Sequence, residues 1–307
     1  MISRRLFYGY VATVLSTVLW GASFVWTTDL LNVCNFPAIT IVTLRLLVSS
    51  VLMFIVFKVE KIRKGDLKYF LLLSMFQPFL YFIGETYGIK YVGEASFAAV
   101  MISLIPVVAP FALSLVYKSK LKGELVIGAI VSVLGVVLMS LNLTGGENIS
   151  IKGILFLCEA IITAVCYNVV LQKLITKNYR PTSITAYQNT IALIFYLPLC
   201  VGLEGKEFLQ IDWTFRAVFD IFSLAVLCSS LAYICYSYGA KVISISKEAV
   251  FNNGIPVVTI IISVIIGQEI LDLRKILGIA IVILGLTVSQ SNFFKRNKTK
   301  RINNTTE

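Results

Sequence analysis

Long apolar stretches separated by short polar connections fill most of the 307-residue chain. Each stretch is close to the roughly 20 residues that an α-helix needs to cross about 30 Å of hydrocarbon. No connection is long enough for a soluble domain. The pattern therefore predicts an all-α integral membrane protein with ten transmembrane helices. The expected spans are Phe7–Thr27, Phe36–Phe57, Leu67–Gly88, Ala95–Tyr117, Leu125–Leu141, Gly153–Ile175, Thr182–Gly202, Ala217–Ala240, Ala249–Gly267 and Ile276–Asn292.

The same motif occurs twice in the chain, about 150 residues apart. In the first copy, Tyr87-Gly88 is followed by Ile105-Pro106-Val107-Val108. In the second, Tyr238-Gly239 is followed by Ile255-Pro256-Val257-Val258. A spacing this long is typical of a duplicated half, as in many secondary transporters.

Five helices per copy is an odd number, so the second copy enters the membrane from the opposite side. The sequence thus predicts two inverted five-helix repeats. Their expected extents are residues 7–141 and 152–292, followed by a basic cytoplasmic tail, 293–307.

Composition agrees with a membrane protein and narrows the chemistry. Hydrophobic residues make up 58% of the chain and charged residues 14%, whereas soluble domains carry roughly a quarter charged residues. The chain has no histidine, which excludes imidazole catalysis and histidine-based metal sites. Its six cysteines show no CxxC or zinc-finger spacing, so we expect no disulfide framework, metal site or cofactor.

The positive charges are distributed unevenly between the two sides. With the N-terminus in the cytoplasm, the inner segments carry 20 Lys and Arg residues and the outer segments carry 6. A bias of this kind in short loops sets the orientation of a membrane protein. It predicts cytoplasmic termini in the inner or plasma membrane, and it explains the net charge of +11 without nucleic acid.

Four features, in order along the chain, resemble a known family. They are Leu19-Trp20-Gly21-Ala22-Ser23-Phe24, the pair Pro37 and Arg45, the duplicated motif, and Gly267-Gln268-Glu269. Together they resemble the EamA-type transporters of the drug/metabolite transporter superfamily. The resemblance implies ten helices in two inverted repeats around a central cavity, and export of small metabolites or drugs, often coupled to protons. One difference is that Lys118-Ser119-Lys120 stands where the first copy would match Glu269.

Ionisable residues inside membrane spans are costly and usually face a cavity or a partner. Arg45, Glu85 and Glu159 lie within the predicted spans, and Asp220 lies near the end of one. Arg45 and Glu159 are at similar depth, so a structural ion pair and a substrate role are both open for Arg45. Glu85 is expected to line the cavity, and Asp220 to be an interfacial charge that reaches the headgroups.

Polar side chains recur at helical spacing on several of the predicted spans. Gln77, Tyr81 and Glu85, for example, share one face of the third helix,. Interhelical hydrogen bonding explains any single residue of this kind, whereas the set as a whole indicates a polar interior. The expected cavity residues are Trp20, Ser23, Gln77, Tyr81, Ser103, Gln188, Asn189, Tyr233, Tyr236, Asn252 and Asn253.

Prolines and glycines stand at matched places in the two copies. Pro106, Pro110 and Pro256 are expected to interrupt the fourth and ninth helices, either as kinks or at a binding site. Gly128 and Gly135 in the fifth helix match Gly278 and Gly285 in the tenth. Small residues at this spacing indicate close packing, between those two helices or in a dimer.

The expected function is secondary active transport, with export of a small metabolite or drug, amino acid-like or similar, by alternating access. A passive channel and an intramembrane enzyme are the alternatives. No Walker A pattern is present, so ATP is not expected as the energy source. If protons drive transport, Glu85 is the expected carrier and Glu159 the expected partner of Arg45.

The orientation of the chain is directly testable. Reporter fusions after Gln290 and in the Gly145-Gly146 connection should report opposite sides of the membrane, with the fusion after Gln290 cytoplasmic. A matched fusion after Lys64 should also report the cytoplasm. The same side for Gln290 and Gly146 would contradict the ten-helix prediction.

Overall fold

The computed structural model describes residues 4–108, 123–140, 149–243, 245, 248, 251–270 and 272–290. Within these residues the secondary structure is helical, and no strand is present. The predicted all-helical class is therefore confirmed for this part of the chain. The helices are α1 Arg4–Asn32, α2 Ala38–Val56, α3 Leu67–Val92, α4 Ala95–Val108, α5 Gly123–Ser140, α6 Ile151–Thr176, α7 Pro181–Phe208, α8 Phe215–Ile243, α9 Asn252–Ile265 and α10 Leu273–Gln290.

Six of these helices, α1, α2, α3, α6, α7 and α8, are long and apolar enough to cross a membrane. The shorter α4, α5 and α9 are also apolar. Several predicted features lie outside the described residues: Pro110, the end of the fourth span, the Lys118-Ser119-Lys120 segment, the Gly145-Gly146 connection and the tail from residue 293.

Two helices contain a π-helical turn at matched positions. In α3 it covers Met75–Leu80, and in α8 it covers Leu224–Leu231. The turn in α3 has a physical cause, because Pro78 lacks a backbone N–H and Gln77 has extended backbone angles,. Single π-helical turns inside α-helices occur often at functional sites.

The interruptions in α4 and α9 also match, but the prolines do not form them. In α4 the regular helix stops at Ser103 and Leu104, before Pro106. In α9 a 3₁₀ turn at Asn252–Gly254 precedes Pro256, which lies in the first turn of the helix after it. The expected interruptions therefore exist, but each proline begins the next helical segment, where its missing N–H costs little.

The helices pack in pairs, and each of the closest pairs joins one helix of the first half of the chain to one of the second. The closest pairs are α5 with α10, α3 with α6, α2 with α7 and α1 with α8, and α4 packs against α9. If each helix is replaced by the one five places away in chain order, the pair of α1 with α8 becomes the pair of α6 with α3. The pairs α5 with α10, α2 with α7 and α4 with α9 are unchanged by this replacement.

The matched glycines hold α5 and α10 together. A Cβ atom on Gly285 would lie 2.6 Å from the carbonyl oxygen of Gly128, and one on Gly135 would lie 2.7 Å from that of Gly278. The sequence predicts packing either between these two helices or in a dimer, and the structure shows α5 packed against α10. Only glycine, whose side chain is a single hydrogen atom, allows two helix backbones to approach this closely.

Replacing Gly285 with alanine should destabilise the fold, because the new methyl group overlaps the α5 backbone. We expect the free energy of unfolding to fall by roughly 1–3 kcal/mol, as for overpacked cores. Thermal unfolding of the purified protein in detergent measures this. Gly202→Ala is the matched control, since nothing lies within 4 Å of a Cβ atom there. Equal stability of the two variants would contradict the packing argument.

Candidate functional site

A cavity lies in the interior of the bundle, where α1, α3, α4, α6, α8 and α9 meet around Arg45 of α2. Its volume is about 60 Å³, so the described conformation encloses a small cavity. The lining residues are Trp20, Ser23, Phe24, Arg45, Gln77, Tyr81, Phe82, Glu85, Ile102, Ile105, Pro106, Ala164, Tyr167, Asn168, Tyr233, Tyr236, Asn252 and Ile255.

The structure brings many of the sequence-predicted residues together at this cavity, and it leaves others outside the lining. Those that line it are Trp20, Ser23, Arg45, Gln77, Tyr81, Glu85, Tyr233, Tyr236 and Asn252. Those outside the lining are Ser103, Glu159, Gln188, Asn189 and Asn253. A substrate role for either group stays a prediction.

Arg45 is the most buried charge at the cavity, with 1% of its surface exposed. Its Nε donates a hydrogen bond to Ser229 Oγ at 2.8 Å, and its guanidinium carbon lies 4.1 Å from the Phe82 ring centroid. Asn189 supports this arrangement from behind, because its Nδ2 donates to the carbonyl oxygen of Ser229 at 2.6 Å. The Nη1 atom of Arg45 has no hydrogen-bond partner.

The expected pairing of Arg45 with Glu159 is wrong. Glu159 lies on α6 against Gly84 of α3, where its carboxylate fills the space that a side chain at Gly84 would need. Arg45 instead shares the cavity with Glu85, and the two charges attract each other. Similar depth suggested the wrong pair, because depth says nothing about which helices are neighbours. In the structure α6 packs on α3, and α2 packs on α7.

Glu85 is held by its own helix. Its Oε1 accepts a hydrogen bond from the Tyr81 hydroxyl at 2.9 Å, one turn away. Among the described residues, no ion pair within 4.0 Å joins Glu85 to Arg45. The cavity is therefore lined by a guanidinium group and a carboxyl group that are not paired with each other.

Aromatic side chains form the wall nearest the N-terminal half of α1. The Trp20 ring lies 5.3 Å from that of Tyr233 and 5.0 Å from that of Tyr236. The Tyr233 hydroxyl accepts from Gln77 Nε2 at 2.8 Å, and the Tyr236 hydroxyl donates to Asn168 Oδ1 at 2.6 Å. These hydrogen bonds fix the tyrosine rings, so the wall is preorganised.

The remaining predicted polar residues make local contacts. Ser103 Oγ donates to the carbonyl oxygen of Val100, and Gln188 Oε1 accepts from the Tyr167 hydroxyl at 3.3 Å. Gln188 thus supports a lining residue from behind, whereas Asn253 Oδ1 is buried without a partner. Asn252 lines the cavity, and Thr17 donates to its Oδ1 at 3.5 Å.

At one end of the bundle, which we call the Asp29 end, polar contacts join α1, α8 and the α9–α10 connection. Arg216 Nε donates to Asp29 Oδ2 at 2.5 Å, and the Arg216 Nη2 atom contacts Asp29 Oδ1. Gln268 Nε2 donates to Asp29 Oδ1 at 2.9 Å. Both oxygens of Asp29 are therefore occupied by protein donors.

The expectation that Asp220 is an interfacial charge is wrong. Its exposed fraction is 4%. One of its carboxylate oxygens lies within 4.8 Å of a carboxylate oxygen of Asp29 and of the Cys34 sulfur. Such a trio has the residue types of a metal site, but Arg216 already neutralises Asp29 there. The arrangement fits an interhelical polar cluster better than a cation site.

The α4 helix is tied to the same end. Glu269 Oε1 accepts the backbone N–H of Ser96 at 2.9 Å, and its other oxygen accepts from the Ser96 hydroxyl. Lys275 Nζ pairs with Glu94 at 2.9 Å. Glu269, which the sequence marked without a role, thus caps the N-terminus of α4.

A similar cap on α2 was not predicted. Glu204 of α7 accepts the backbone N–H groups of Ile39 at 3.1 Å and of Thr40 at 2.7 Å. The helix begins after Pro37, which has no side chain that can cap it. The lack of a capping side chain at Pro37 is the feature of the sequence that could have predicted this contact. The unpaired N–H groups in the first turn of a helix need an acceptor from elsewhere.

The opposite end, the Asp66 end, is joined by a connection-to-connection contact. Lys177 Nζ lies 2.7 Å from Asp66 Oδ1, and the Tyr179 hydroxyl donates to Asp66 Oδ2 at 2.9 Å. The hydrogen bond from Lys177 holds the pKa of Asp66 below its usual range. Arg180 pairs with Glu60 at 3.2 Å beside it.

Comparison with known proteins assigns this architecture to a family. Residues 7–141 and 151–290 both match the EamA-like transporter family. The uncharacterized transporter YetK of Bacillus subtilis is 24% identical over 94% of this chain and 88% of its own length. An uncharacterized transporter of Archaeoglobus fulgidus is 24% identical over 91% of this chain and 97% of its own.

A solved crystal structure of a protein has the same fold. It aligns with a TM-score of 0.60 at 13% identity, over 89% of this chain and 97% of the other. The family match covers most of the sequence in two segments, as the resemblance in the motifs predicted. This chain belongs to the EamA-like transporter family.

Proposed function

We propose that this chain is a secondary active transporter that exports a small metabolite or drug by alternating access. The observation that carries the proposal is a cavity, lined by ionisable and aromatic side chains, inside a helix bundle whose Asp29 end is held together by side-chain contacts. Alternating access requires an interior site that is shut on at least one side at a time. The family to which the chain belongs supports transport.

The finer architecture belongs to the same proposal. We propose ten transmembrane helices in two inverted repeats, residues 7–141 and 152–292, with both termini and the tail 293–307 in the cytoplasm. The matched π-helical turns of α3 and α8 and the matched breaks of α4 and α9 support a duplication. The helix pairs, which the exchange of counterparts reproduces, support it independently.

The charge bias of the connections supports an orientation with the Asp29 end outside the cell and the Asp66 end in the cytoplasm. In that orientation the contacts of Asp29 join the helices on the exterior side. Opening requires α1 and α8 to separate where Arg216 joins Asp29, and α4 to part from Glu269. This closing cluster acts as the outer gate in the proposed cycle.

Proton coupling remains part of the proposal. A carboxyl group that gains and loses a proton must be accessible from the cavity, and Glu85 meets that condition because it lines it. Glu159 lies outside the lining, so Glu85 is the better candidate. A substrate that engages Arg45 would change the electrostatic field at Glu85, because both groups line the same cavity,.

The gate is tested by thiol accessibility. In a chain whose six native cysteines are replaced, Ser23→Cys places a thiol in the cavity wall with little change in volume. Arg216→Gln should increase its reaction with a membrane-impermeant reagent added outside intact cells, because the contact with Asp29 is lost. We expect a rise of roughly fivefold or more, which corresponds to about 1 kcal/mol.

Arg274→Gln is the matched control. Arg274 also lies at the Asp29 end, but its ion pair, at 3.3 Å, is with Asp272 two residues away and joins no separate helices. This variant should leave the labelling rate unchanged. Equal rates for the two variants would contradict the outer-gate assignment, and equal labelling from both sides in the parent protein would contradict alternating access.

A further inference from the structure

We infer that the outer gate contains a proton-binding site, in which Asp220 of α8 and Asp29 of α1 share one proton that holds the two helices together. The site belongs to the proposed transport function, on which this inference rests, and it controls the gate. The juxtaposition that carries it is two buried carboxyl groups on separate helices, one of them without a donor of its own, beside the single guanidinium of Arg216.

Both carboxyl groups lie inside the protein and close to each other. The exposed fraction is 3% for Asp29 and 4% for Asp220. An oxygen of one lies within 4.8 Å of an oxygen of the other. Burial disfavours the charged form of a carboxyl group, and a second carboxylate nearby disfavours it further. Two carboxyl groups in this arrangement are therefore expected to hold one proton between them, as coupled sites do.

Asp29 is the member of the pair that keeps its negative charge. Arg216 donates to it from both Nε and Nη2, and Gln268 donates to it from Nε2. Asp220 receives none of these hydrogen bonds, and its Oδ2 atom is buried without a partner. The proton of the closed gate therefore resides on Asp220.

The other groups that face Asp220 do not supply a second positive charge. Cys34, in the connection between α1 and α2, presents a thiol to the pair. The helix α2 also packs on this part of α8, and its charged residue is Arg45, which lies at the cavity. Among the described residues, the cluster thus combines two carboxyl groups with one guanidinium, and one proton makes it electrically neutral.

The shared proton joins the two helices that the gate must separate. Arg216 and Asp220 are one turn apart on α8, whereas Asp29 lies on α1. A protonated Asp220 can donate to a carboxylate oxygen of Asp29, because such an oxygen accepts more than one hydrogen bond. Loss of the proton replaces this attraction with repulsion between two carboxylates that are shielded from water.

The direction of the pH effect follows from the difference between the closed and open gate. In the closed gate Asp220 is buried and keeps its proton. In the open gate water hydrates both carboxylates, and the proton is held less tightly. The closed form therefore binds more protons, so low external pH favours closure and high external pH favours opening. The proton enters and leaves on the exterior side, and it is distinct from a proton carried through the cavity.

The test measures access to the cavity as the external pH is changed. Ser23→Cys, in the full-length chain without its native cysteines, is labelled with a membrane-impermeant reagent in right-side-out vesicles of fixed interior pH. Gln210→Cys, at an exposed residue between α7 and α8, corrects for the ionisation of the thiol itself,. The ratio of the two labelling rates reports the opening of the gate.

We expect this ratio to rise roughly threefold or more between an external pH of about 6 and one of about 9, within the limit that a single proton sets. Asp220→Asn imitates the protonated form and should keep the ratio low at both pH values. Asp220→Glu restores a carboxyl group and should restore the rise. Asp272→Asn is the matched control, because Asp272 lies at the same end but pairs with Arg274, two residues away, and it should leave the rise unchanged.

A ratio that is independent of pH while Asp220 is intact would overturn the proton site, and that measurement does not require an Asp220 variant to fold. A rise that persists in Asp220→Asn would overturn the assignment to this pair. A response to sodium in place of choline at constant pH, lost in Asp220→Asn, would replace the proton with a metal cation. Faster labelling in Arg216→Gln without any effect of pH would reject the proton site and keep the proposed gate.

Discussion

The burial of the Arg45 guanidinium is the constraint on which the centre of this structure depends. A charge in an apolar bundle is tolerated only when protein groups replace its water. Here Ser229 and the Phe82 face do so, and Asn189 holds Ser229 in place. The π-helical turn of α8 includes Ser229, so an irregularity of the helix supplies the acceptor. The backbone of α8, in the second half of the chain, is thus irregular where it meets the charge of Arg45 in the first half.

Much of this architecture was predictable from local pattern. Helix positions follow from apolar run length, and the duplication follows from repeated motifs. The cavity face of α3 was visible as Gln77, Tyr81 and Glu85 at helical spacing, and all three line it. The predictions that were wrong concerned which residues of different helices are neighbours in the fold. Asp220 looked interfacial because its position near a helix end gives no indication that Asp29 of α1 lies beside it.

The two family-matched segments of the chain differ at the cavity. Ile102 of α4 and Asn252 of α9 stand at equivalent places before the matched breaks, and both line the cavity. One is apolar and the other polar. The scaffold contacts, by contrast, remain equivalent, as the glycines of α5 and α10 show. The cavity wall is therefore chemically different on its α4 side and its α9 side.

The cap that Glu204 places on α2 bears on how the bundle can move. Two backbone donors of α2 depend on a carboxylate of α7, and sliding one helix along the other would leave all three buried groups without their partners,. The glycine seam between α5 and α10 is equally intolerant of displacement. Both clamps join the first half of the sequence to the second. A helix pair that moved as one unit would therefore contain one helix from each of the two family-matched segments of the chain.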